Sequence, residues 1–184
     1  MKGLEKAGST VSITSDAEEI AAADGIVLPG VGAFREGMEM LGGLKNVVTT
    51  SADSGVPILG ICLGMQMLLE SSEEHGISSG IGLVPGTVKE FPRKKGFKVP
   101  HMGWNSIGIE QDSSLFEGVS DESYVYFVHS FYACASPEYT LTSTDYITRF
   151  ASSVGKGSVF GVQFHPEKSG AVGLKILENF ISMI

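Results

Sequence analysis

Two short segments of the chain carry residues whose types and spacing could do covalent chemistry. In "GICLGMQ", residues 60–66, Cys62 lies between glycines directly after the apolar stretch "VPILG". A small-x-Cys-x-Gly turn between a strand and a helix is typical of the cysteine form of a nucleophile elbow. In "FHPEKS", His165 precedes Glu167 by two residues. Together they predict a nucleophile, a base and an orienting carboxylate in the Cys-His-Glu form.

The surroundings of both residues favour this interpretation over a structural one. A helix that begins at Leu63 would offer N–H groups and a positive dipole end to a thiolate. If Pro166 holds the chain extended, Glu167 points to the same side as His165 and can reach its ring. The alternatives are a buried cysteine used as a small hydrophobe and a hydrogen-bonded core histidine. His75, His101 and His129 have no carboxylate placed in this way.

A third segment, "LPGVGAF", places flexible backbone at the end of a predicted strand. The N–H groups of Val31 and Gly32 could stabilise an oxyanion together with that of Leu63. An ordinary Gly-x-Gly turn explains the segment equally well on its own. It lacks the third glycine of a dinucleotide fingerprint, and neither cysteine has a ligand-spaced partner, so we expect no cofactor and no metal.

The elements that position these segments are predicted to alternate between strands and helices. "KGLEKAG" indicates a helix ended by Gly8, and "TVSIT" alternates like a strand. Ser15 with Glu18 predicts a capping box for the next helix. "GIVLP" and "VPILGI" are predicted buried strands; the stretches after them, "REGMEMLGGLKNVVTTSADSG" and "LGMQMLLESSEE", are predicted to be mostly helical. This order predicts an α/β fold with a doubly wound, mostly parallel sheet.

The second half of the chain predicts antiparallel strands added to that sheet. Short β-like runs follow Gly76: "LVPGTVKEF", "SIGIEQ", "YVYFVHS", "YACAS" and "DYITRFAS". "SVFGVQFHPEKSG" predicts a last strand that runs into a helix. On that helix, apolar residues at helical spacing predict one buried face made of Leu174, Leu177, Ile181 and Ile184.

Length and composition limit the number of domains, the binding partners and the cellular compartment that we expect for the chain. We expect one domain over residues 1–184, because the length suffices for one buried core. The net charge of −8 has the wrong sign for nucleic acid or an anionic membrane surface. The basic run "PRKKGFK" is more typical of a solvated loop. A polar start, no apolar stretch of membrane-spanning length and two distant cysteines, Cys62 and Cys134, predict a cytoplasmic protein.

Taken in order along the chain, "LPGVGAF", "GICLGMQ", "VPHMGWN", "YFVHSFY" and "GVQFHPEKSG" resemble class I glutamine amidotransferases over essentially the whole sequence. "PGVGAF" and "PHMGWN" are similar to the branch that serves histidine biosynthesis. The resemblance implies a glutaminase with Cys62 as nucleophile, His165 as acid and base, and Glu167 as orienter. It also implies glutamine contacts at Gly32, Gln66, Glu74, Ser130 and Phe131.

The resemblance further implies a partner. Nothing in the motifs accounts for the use of released ammonia, and in this branch a separate (β/α)₈-barrel cyclase consumes it, which implies a heterodimer. Trp104, Asn105 and Lys168 are the residues we expect to dock that cyclase. The open alternatives are the glutaminase of another amidotransferase, another thiol hydrolase on the same fold, and a non-catalytic module.

One departure from the family concerns the start of the sheet. Family members begin with a strand and a Tyr-Gly-x-Gly-Asn-like loop ahead of the helix that "KGLEKAG" matches. The chain has neither, and the resemblance places that strand inside the sheet. We therefore expect the sheet to lack its first strand and to expose backbone groups and apolar neighbours there.

Overall fold

Six α-helices, three short 3₁₀ turns and eleven strands form the structure, a computed structural model that describes residues 1–184. The helices are α1 (Lys2–Lys6), α2 (Ala17–Ala21), α3 (Phe34–Leu41), α4 (Leu44–Asp53), α5 (Leu63–Leu68) and α6 (Gly170–Ile181). The strands are β1 (Ile26–Leu28), β2 (Ile58–Ile61), β3 (Ser71–Ser72), β4 (Ser78–Ser79), β5 (Thr87–Glu90), β6 (His101–Ile109), β7 (Ser123–His129), β8 (Phe131–Cys134), β9 (Thr140–Asp145), β10 (Arg149–Lys156) and β11 (Val159–Val162). None of the helices combines the length and apolar character that crossing a membrane requires.

The strands form one mixed sheet whose parallel part carries the chemistry-bearing segments. β2 lies between β1 and β11 and is parallel to both. Beyond β11 the sheet continues through β10, β8 and β5 in antiparallel pairs, and β3 and β4 end it. β6 pairs with β7 and β9 off this path. Since β2 and β11 are parallel neighbours, the segments that follow them emerge at the same edge of the sheet.

Helices cover both faces of the parallel strands, which confirms the expected α/β fold. Successive residues of β2 point to opposite faces, so Leu59 packs in one apolar cluster and Ile58 in the other. The first cluster includes residues of α1 and α6, and the second includes residues of α3, α4 and α5. Burial on both faces explains why "VPILG" is apolar without alternation.

The start of the chain differs from the expected pattern. "TVSIT", predicted as a strand, has no regular structure, and the first strand is Ile26–Leu28. A strand needs a neighbour for its backbone hydrogen bonds, and β1 pairs only with β2. The capping-box prediction at Ser15 was also wrong: the side chain of Asp16 caps α2 by accepting from Glu18 N and Glu19 N.

Three helix predictions need correction, two in the extent of the helix and one in its buried face. The long helix expected after "LPGVGAF" is divided into α3 and α4 at Gly42, which has φ +45°. The helix after Cys62 ends at Leu68 because β3 begins at Ser71. The buried face of α6 consists of Gly173, Ile176, Leu177, Asn179 and Phe180. Of the four residues expected on that face only Leu177 is buried; Leu174 and Ile181 are half-buried, and Ile184 is 52% exposed.

Close packing between α5 and the strand ends fixes the turn around Cys62. A Cβ atom on Gly64 would lie 1.7 Å from the carbonyl oxygen of Leu28. A Cβ atom on Gly60 would lie 2.6 Å from the backbone nitrogen of Met65. Both neighbours are backbone atoms that cannot rotate away. The two glycines of "GICLG" therefore let α5 fold back over β1 and β2.

We expect Gly64→Ala to destabilise the fold by more than about 3 kcal/mol, because the methyl group would overlap a strand carbonyl. The matched control is Gly43→Ala. Gly43 has φ −64° and no atom within 4 Å of a built Cβ, so its free energy of unfolding should change by at most about 0.5 kcal/mol. Denaturant unfolding measures both. A loss below about 1 kcal/mol for Gly64→Ala would contradict this packing.

Candidate active site

A pocket of about 280 Å³ lies at the edge of the sheet where β2 and β11 end. It is lined by Val31, Gly32, Cys62, Leu63, Gln66, Glu74, Val128, His129, Ser130, Phe131, His165 and Lys168. Most of the residues that sequence analysis predicts to be catalytic or substrate-binding thus line one pocket. A larger hollow of about 540 Å³ lies along residues 109–119 and contains neither cysteine nor histidine.

Cys62 occupies a sharp turn between β2 and α5. Its backbone has φ 55° and ψ −107°, a conformation that costs a non-glycine residue about 1–3 kcal/mol. The turn is held because Cys62 N–H donates to Val162 O at 2.8 Å, and Gln66 N–H donates to Cys62 O at 3.2 Å. The sulfur lies 3.8 Å from Val128 O and 3.7 Å from Gln163 Nε2. This geometry presents the thiol at the pocket wall, as an elbow does.

His165 and Glu167 pair directly. His165 Nδ1 lies 2.9 Å from Glu167 Oε1. The backbone differs from the extended segment that the sequence suggested, because Pro166–Lys168 forms a turn of 3₁₀ helix. The backbone of His165 is anchored on both sides: its backbone N–H donates to Tyr126 O, and its backbone carbonyl accepts from the hydroxyl of Ser169 at 2.7 Å.

The contacts of His165 favour its charged form. Hydrogen bonding to Cys62 and to Glu167 raises the pKa of His165 to about 9. Burial opposes ionisation of Glu167, but hydrogen bonding with His165 and with its own backbone outweighs this, so the pKa of Glu167 lies below its ordinary value. At neutral pH the pair is therefore an imidazolium and a carboxylate. Nδ1–H donates to Glu167, which leaves Nε2–H for Cys62.

The segment "LPGVGAF" does not present a complete set of oxyanion donors. The N–H of Leu63, one predicted donor, donates to Gly30 O at 3.3 Å. Gly32 lies in this same loop with φ +112° and has open space beside its Cα. Val31 is 80% exposed. The Leu63 N–H becomes available only if the Gly30 carbonyl turns away.

The residues expected to contact glutamine lie around the same pocket. Gln66 is buried, and its Nε2 donates to Phe131 O at 3.1 Å and to Gln163 Oε1 at 3.0 Å. Glu74 Oε2 accepts from the N–H of Phe34 at 2.7 Å. The carbonyl of Ser130 accepts from Phe91 N–H, which anchors the turn between β7 and β8.

The structure contains a buried histidine pair beside the pocket that the sequence analysis did not predict. His101 and His129 face each other across β6 and β7, with His101 Nδ1 3.0 Å from His129 Nε2. His129 Nδ1 lies 2.8 Å from Phe131 O. A carbonyl only accepts, so Nδ1 of His129 donates to it and Nε2 accepts from His101. No grouping of three metal-ligating side chains includes this pair. Only the strand register, which the sequence does not reveal, brings the two rings together.

Burial keeps both of these histidines neutral. Desolvation lowers the pKa of His101 to about 4. The pKa of His129 is lowered to about 3 by burial, despite its hydrogen bond to Phe131 O. Both values are far from that of His165, so the three histidines near the site divide into one charged group and one neutral pair. The neutral pair supports the backbone of Phe131.

The residues expected to dock a partner do not share one face: Trp104 and Asn105 lie on opposite faces of β6, and Lys168 lies in the turn after His165. Trp104 is 55% exposed, and its ring packs edge-on against Tyr126. Lys168 Nζ lies 5.9 Å from the centre of the Tyr126 ring. The side chain of Asn105 instead points to the opposite face, where Nδ2 donates to Asp145 O at 3.0 Å and lies 3.4 Å from His101 Nε2. Asn105 is therefore not beside Trp104 on the exposed face.

Comparison with known proteins defines the class. A family model described as "Glutamine amidotransferase class-I" matches residues 3–183, and the chain belongs to this family. Within it, the chain is 55% identical to "Imidazole glycerol phosphate synthase subunit HisH" of Methanosarcina barkeri, covering 99% of this chain and 91% of that protein. It is 47% identical to the protein of the same name from Archaeoglobus fulgidus, covering 100% and 91%.

Solved structures agree on the fold. A structure described as a glutamine amidotransferase superposes with a TM-score of 0.75 at 14% identity, covering 99% of this chain and 90% of that one. The glutaminase domain of Trypanosoma brucei CTPS gives a TM-score of 0.67 at 18% identity, covering 98% and 86%. At such identities the likeness concerns the fold alone.

The neutral histidine pair should make the fold sensitive to acid. Unfolded histidines take up protons near pH 6.5, whereas the folded pKa values are about 4 for His101 and about 3 for His129. The unfolded state therefore binds more protons below pH 6.5, and stability falls as the pH falls towards 4. Each histidine contributes up to about 1.4 kcal/mol per pH unit. Denaturant unfolding at a series of pH values measures this slope.

The double variant His101→Gln, His129→Gln should show a shallower slope than the parent over the same pH range, because glutamine does not titrate. The matched control is His75→Gln, since His75 is exposed and lies outside the pair. Equal slopes for the parent and the double variant would contradict neutral burial of the pair.

Proposed function

We propose that this chain is the glutaminase subunit of an imidazole glycerol phosphate synthase. It hydrolyses glutamine to glutamate and ammonia and passes the ammonia to a cyclase in histidine biosynthesis. The observation that carries the proposal is the meeting of Cys62 with the His165–Glu167 pair in one pocket at the ends of neighbouring parallel strands. Relatives that carry this synthase's name, at 47–55% identity over almost the whole chain, support the same function.

In the proposed mechanism, the sulfur of Cys62 attacks the side-chain carbonyl carbon of glutamine. Nε2 of the His165 imidazolium already carries the proton, so Cys62 attacks as the thiolate, while Nδ1–H of His165 is held by Glu167 at 2.9 Å. The C–N bond breaks, and His165 gives the proton to the departing ammonia. Water then attacks the thioester with His165 as base, the C–S bond breaks, and glutamate leaves. Glu167 orients the ring and stabilises its charge throughout.

The surrounding groups provide substrate binding and oxyanion stabilisation in this proposal. We assign glutamine contacts to Gly32, Gln66, Glu74 and the Ser130–Phe131 backbone, which surround the pocket. The oxyanion donors are the N–H groups of Val31 or Gly32 with that of Leu63. Because Leu63 N–H donates to Gly30 O, the loop must change conformation before the donors converge on the substrate. The resting chain is therefore expected to be a slow glutaminase.

The partner is the (β/α)₈-barrel cyclase, which forms a heterodimer with this chain. The relatives' names identify them as subunits of a synthase. Exposed apolar residues on β6 and β7, namely Met102, Trp104 and Tyr124, adjoin Tyr126 and Lys168 at the pocket mouth. Exposed apolar groups at the rim of a site are typical of a docking surface. Asn105 supports this surface from the opposite face of β6.

Two further assignments accompany the function. We treat residues 1–184 as one amidotransferase domain, which the family match over residues 3–183 supports. We also assign the chain to the cytoplasm, where a reducing environment keeps a catalytic thiol available. Both cysteines are free thiols.

We expect Cys62→Ala to reduce glutamine hydrolysis below about 1% of the parent rate, because the attacking atom is removed. The fold should persist, because alanine retains the Cβ and loses only the sulfur. The matched control is Cys134→Ala, which removes the other free thiol outside the pocket and should leave turnover unchanged. Ammonia release and circular dichroism measure the two effects. Substantial turnover by folded Cys62→Ala would refute the nucleophile assignment.

Docking of the cyclase should accelerate glutamine hydrolysis by this chain if docking also frees the Leu63 N–H. We expect glutamine hydrolysis to rise about 5- to 150-fold when the cyclase of the Methanosarcina barkeri synthase and a substrate analogue are added, which is the usual range of coupling between sites. Rates are compared for the chain alone, with partner, and with partner plus analogue. Trp104→Ala should weaken the effect, and Met40→Ala, an exposed apolar control on α3, should not. Equal rates in all three conditions would refute coupling.

A further inference from the structure

Gln163 is a completely buried polar residue that lies behind the nucleophile and outside the pocket wall. It follows β11 and precedes His165 by two residues. Its Nε2 lies 3.7 Å from Cys62 Sγ, and its Oε1 accepts from Gln66 Nε2 at 3.0 Å. None of the roles assigned above uses this side chain, although it touches the atom that reacts.

The hydrogen-bond network determines which end of the amide faces the sulfur. Gln66 lies 3.1 Å from the carbonyl oxygen of Phe131, which can only accept, so the Gln66 atom there is Nε2. The second proton of that NH₂ group points to Gln163, whose nearer atom must therefore be Oε1. The remaining end of the Gln163 amide, the N–H donor, faces Cys62. A backbone carbonyl at the far end of the network thus sets the direction of the amide.

The sulfur lies between two groups that prefer opposite protonation states. The carbonyl of Val128, 3.8 Å away, can accept only from the S–H of a thiol. The Gln163 N–H can donate to a lone pair of sulfur and does so most strongly when the sulfur is anionic. Because the amide is neutral, it supplies this donor without adding a positive charge next to the imidazolium of His165.

We propose that Gln163 is a catalytic residue that stabilises the Cys62 sulfur as an anion. The inference rests on the proposed role of Cys62 as nucleophile. In acylation, the imidazolium of His165 carries the proton, and the Gln163 N–H holds the Cys62 thiolate in position for attack. In deacylation, water forms the new C–O bond, the C–S bond breaks, and the electron pair returns to a sulfur that already faces the donor. Gln66 acts on the sulfur only through Gln163 and is a positioning residue in this respect.

The test measures the reactivity of Cys62 without the substrate. In a Cys134→Ser background, the second-order rate of alkylation by iodoacetamide at pH 7 is measured for the parent and for Gln163→Met, which retains a side chain of similar volume. We expect the rate to fall at least about tenfold, with a matching loss of thiolate absorbance at 240 nm, because the thiolate loses its donor. Gln66→Met should give a smaller fall, because the Gln163 amide is then free to turn over.

The matched control is Gln111→Met. Gln111 also uses its side-chain NH₂ to donate to backbone carbonyls, those of Pro137, Glu138 and Thr140, but it lines the other hollow. In the Gln111→Met variant, Cys62 should be alkylated at the same rate as in the parent. Folded Gln163→Met that reacts within twofold of the parent would overturn the proposal.

A measurement on the parent chain, which retains Gln163, covers the case in which Gln163→Met does not fold. The side-chain amide protons of Gln163, followed by NMR over a pH series, should shift together with the 240 nm absorbance of Cys62. Amide signals that stay constant while the thiolate forms would overturn the proposal.

The two hypotheses fail differently. If alkylation of Cys62 leaves glutamine hydrolysis intact, the proposed function itself is wrong. If alkylation abolishes hydrolysis but proceeds equally fast in Gln163→Met, the nucleophile stands and only the role of Gln163 is refuted.

Discussion

The contact on which the site depends is the approach of the α5 backbone to the carboxyl ends of β1 and β2. Gly64 lies so close to Leu28 O that a side chain cannot fit between them. This contact brings the first turn of α5 directly over the sheet and places Cys62 in its strained turn at the pocket. The cost of the strained φ is met by burial of the surrounding apolar residues of α5, including Leu63, Met65 and Leu68.

The site depends equally on the parallel pairing of β2 with β11. It brings the segment after β2 and the segment after β11 to the same edge of the sheet, although they are far apart in the chain. Strands β7 and β8, which pair with other strands and not with each other, then close the pocket from the side through the bend at Ser130. Around this edge the histidines have opposite electrostatic states, because His165 has a carboxylate partner and the His101–His129 pair has only neutral ones.

The sequence predicted the parts of this arrangement that depend on local chemistry. The turn at Cys62 follows from its glycines, and the pairing of His165 with Glu167 follows from their separation by one residue, although the backbone between them is 3₁₀ rather than extended. The strand expected at "TVSIT" did not form, because strand structure requires a neighbour that pairs with it. The orientation of Asn105 and the role of Gln163 depend on contacts across strands, which no local pattern contains.

The order of β1, β2 and β11 in the sheet has a consequence for how the chain folds. Strand β2 ends at Ile61, but one of its two neighbours does not begin until Val159, so about half of the sequence separates paired residues. Contacts of such long range form late and slowly, because the loop between them must be closed first. During synthesis, Cys62 therefore leaves the ribosome long before the strand that covers it, and its apolar flanks remain exposed until the last part of the chain has been made. A chaperone that binds extended apolar segments would encounter β2 in just this interval.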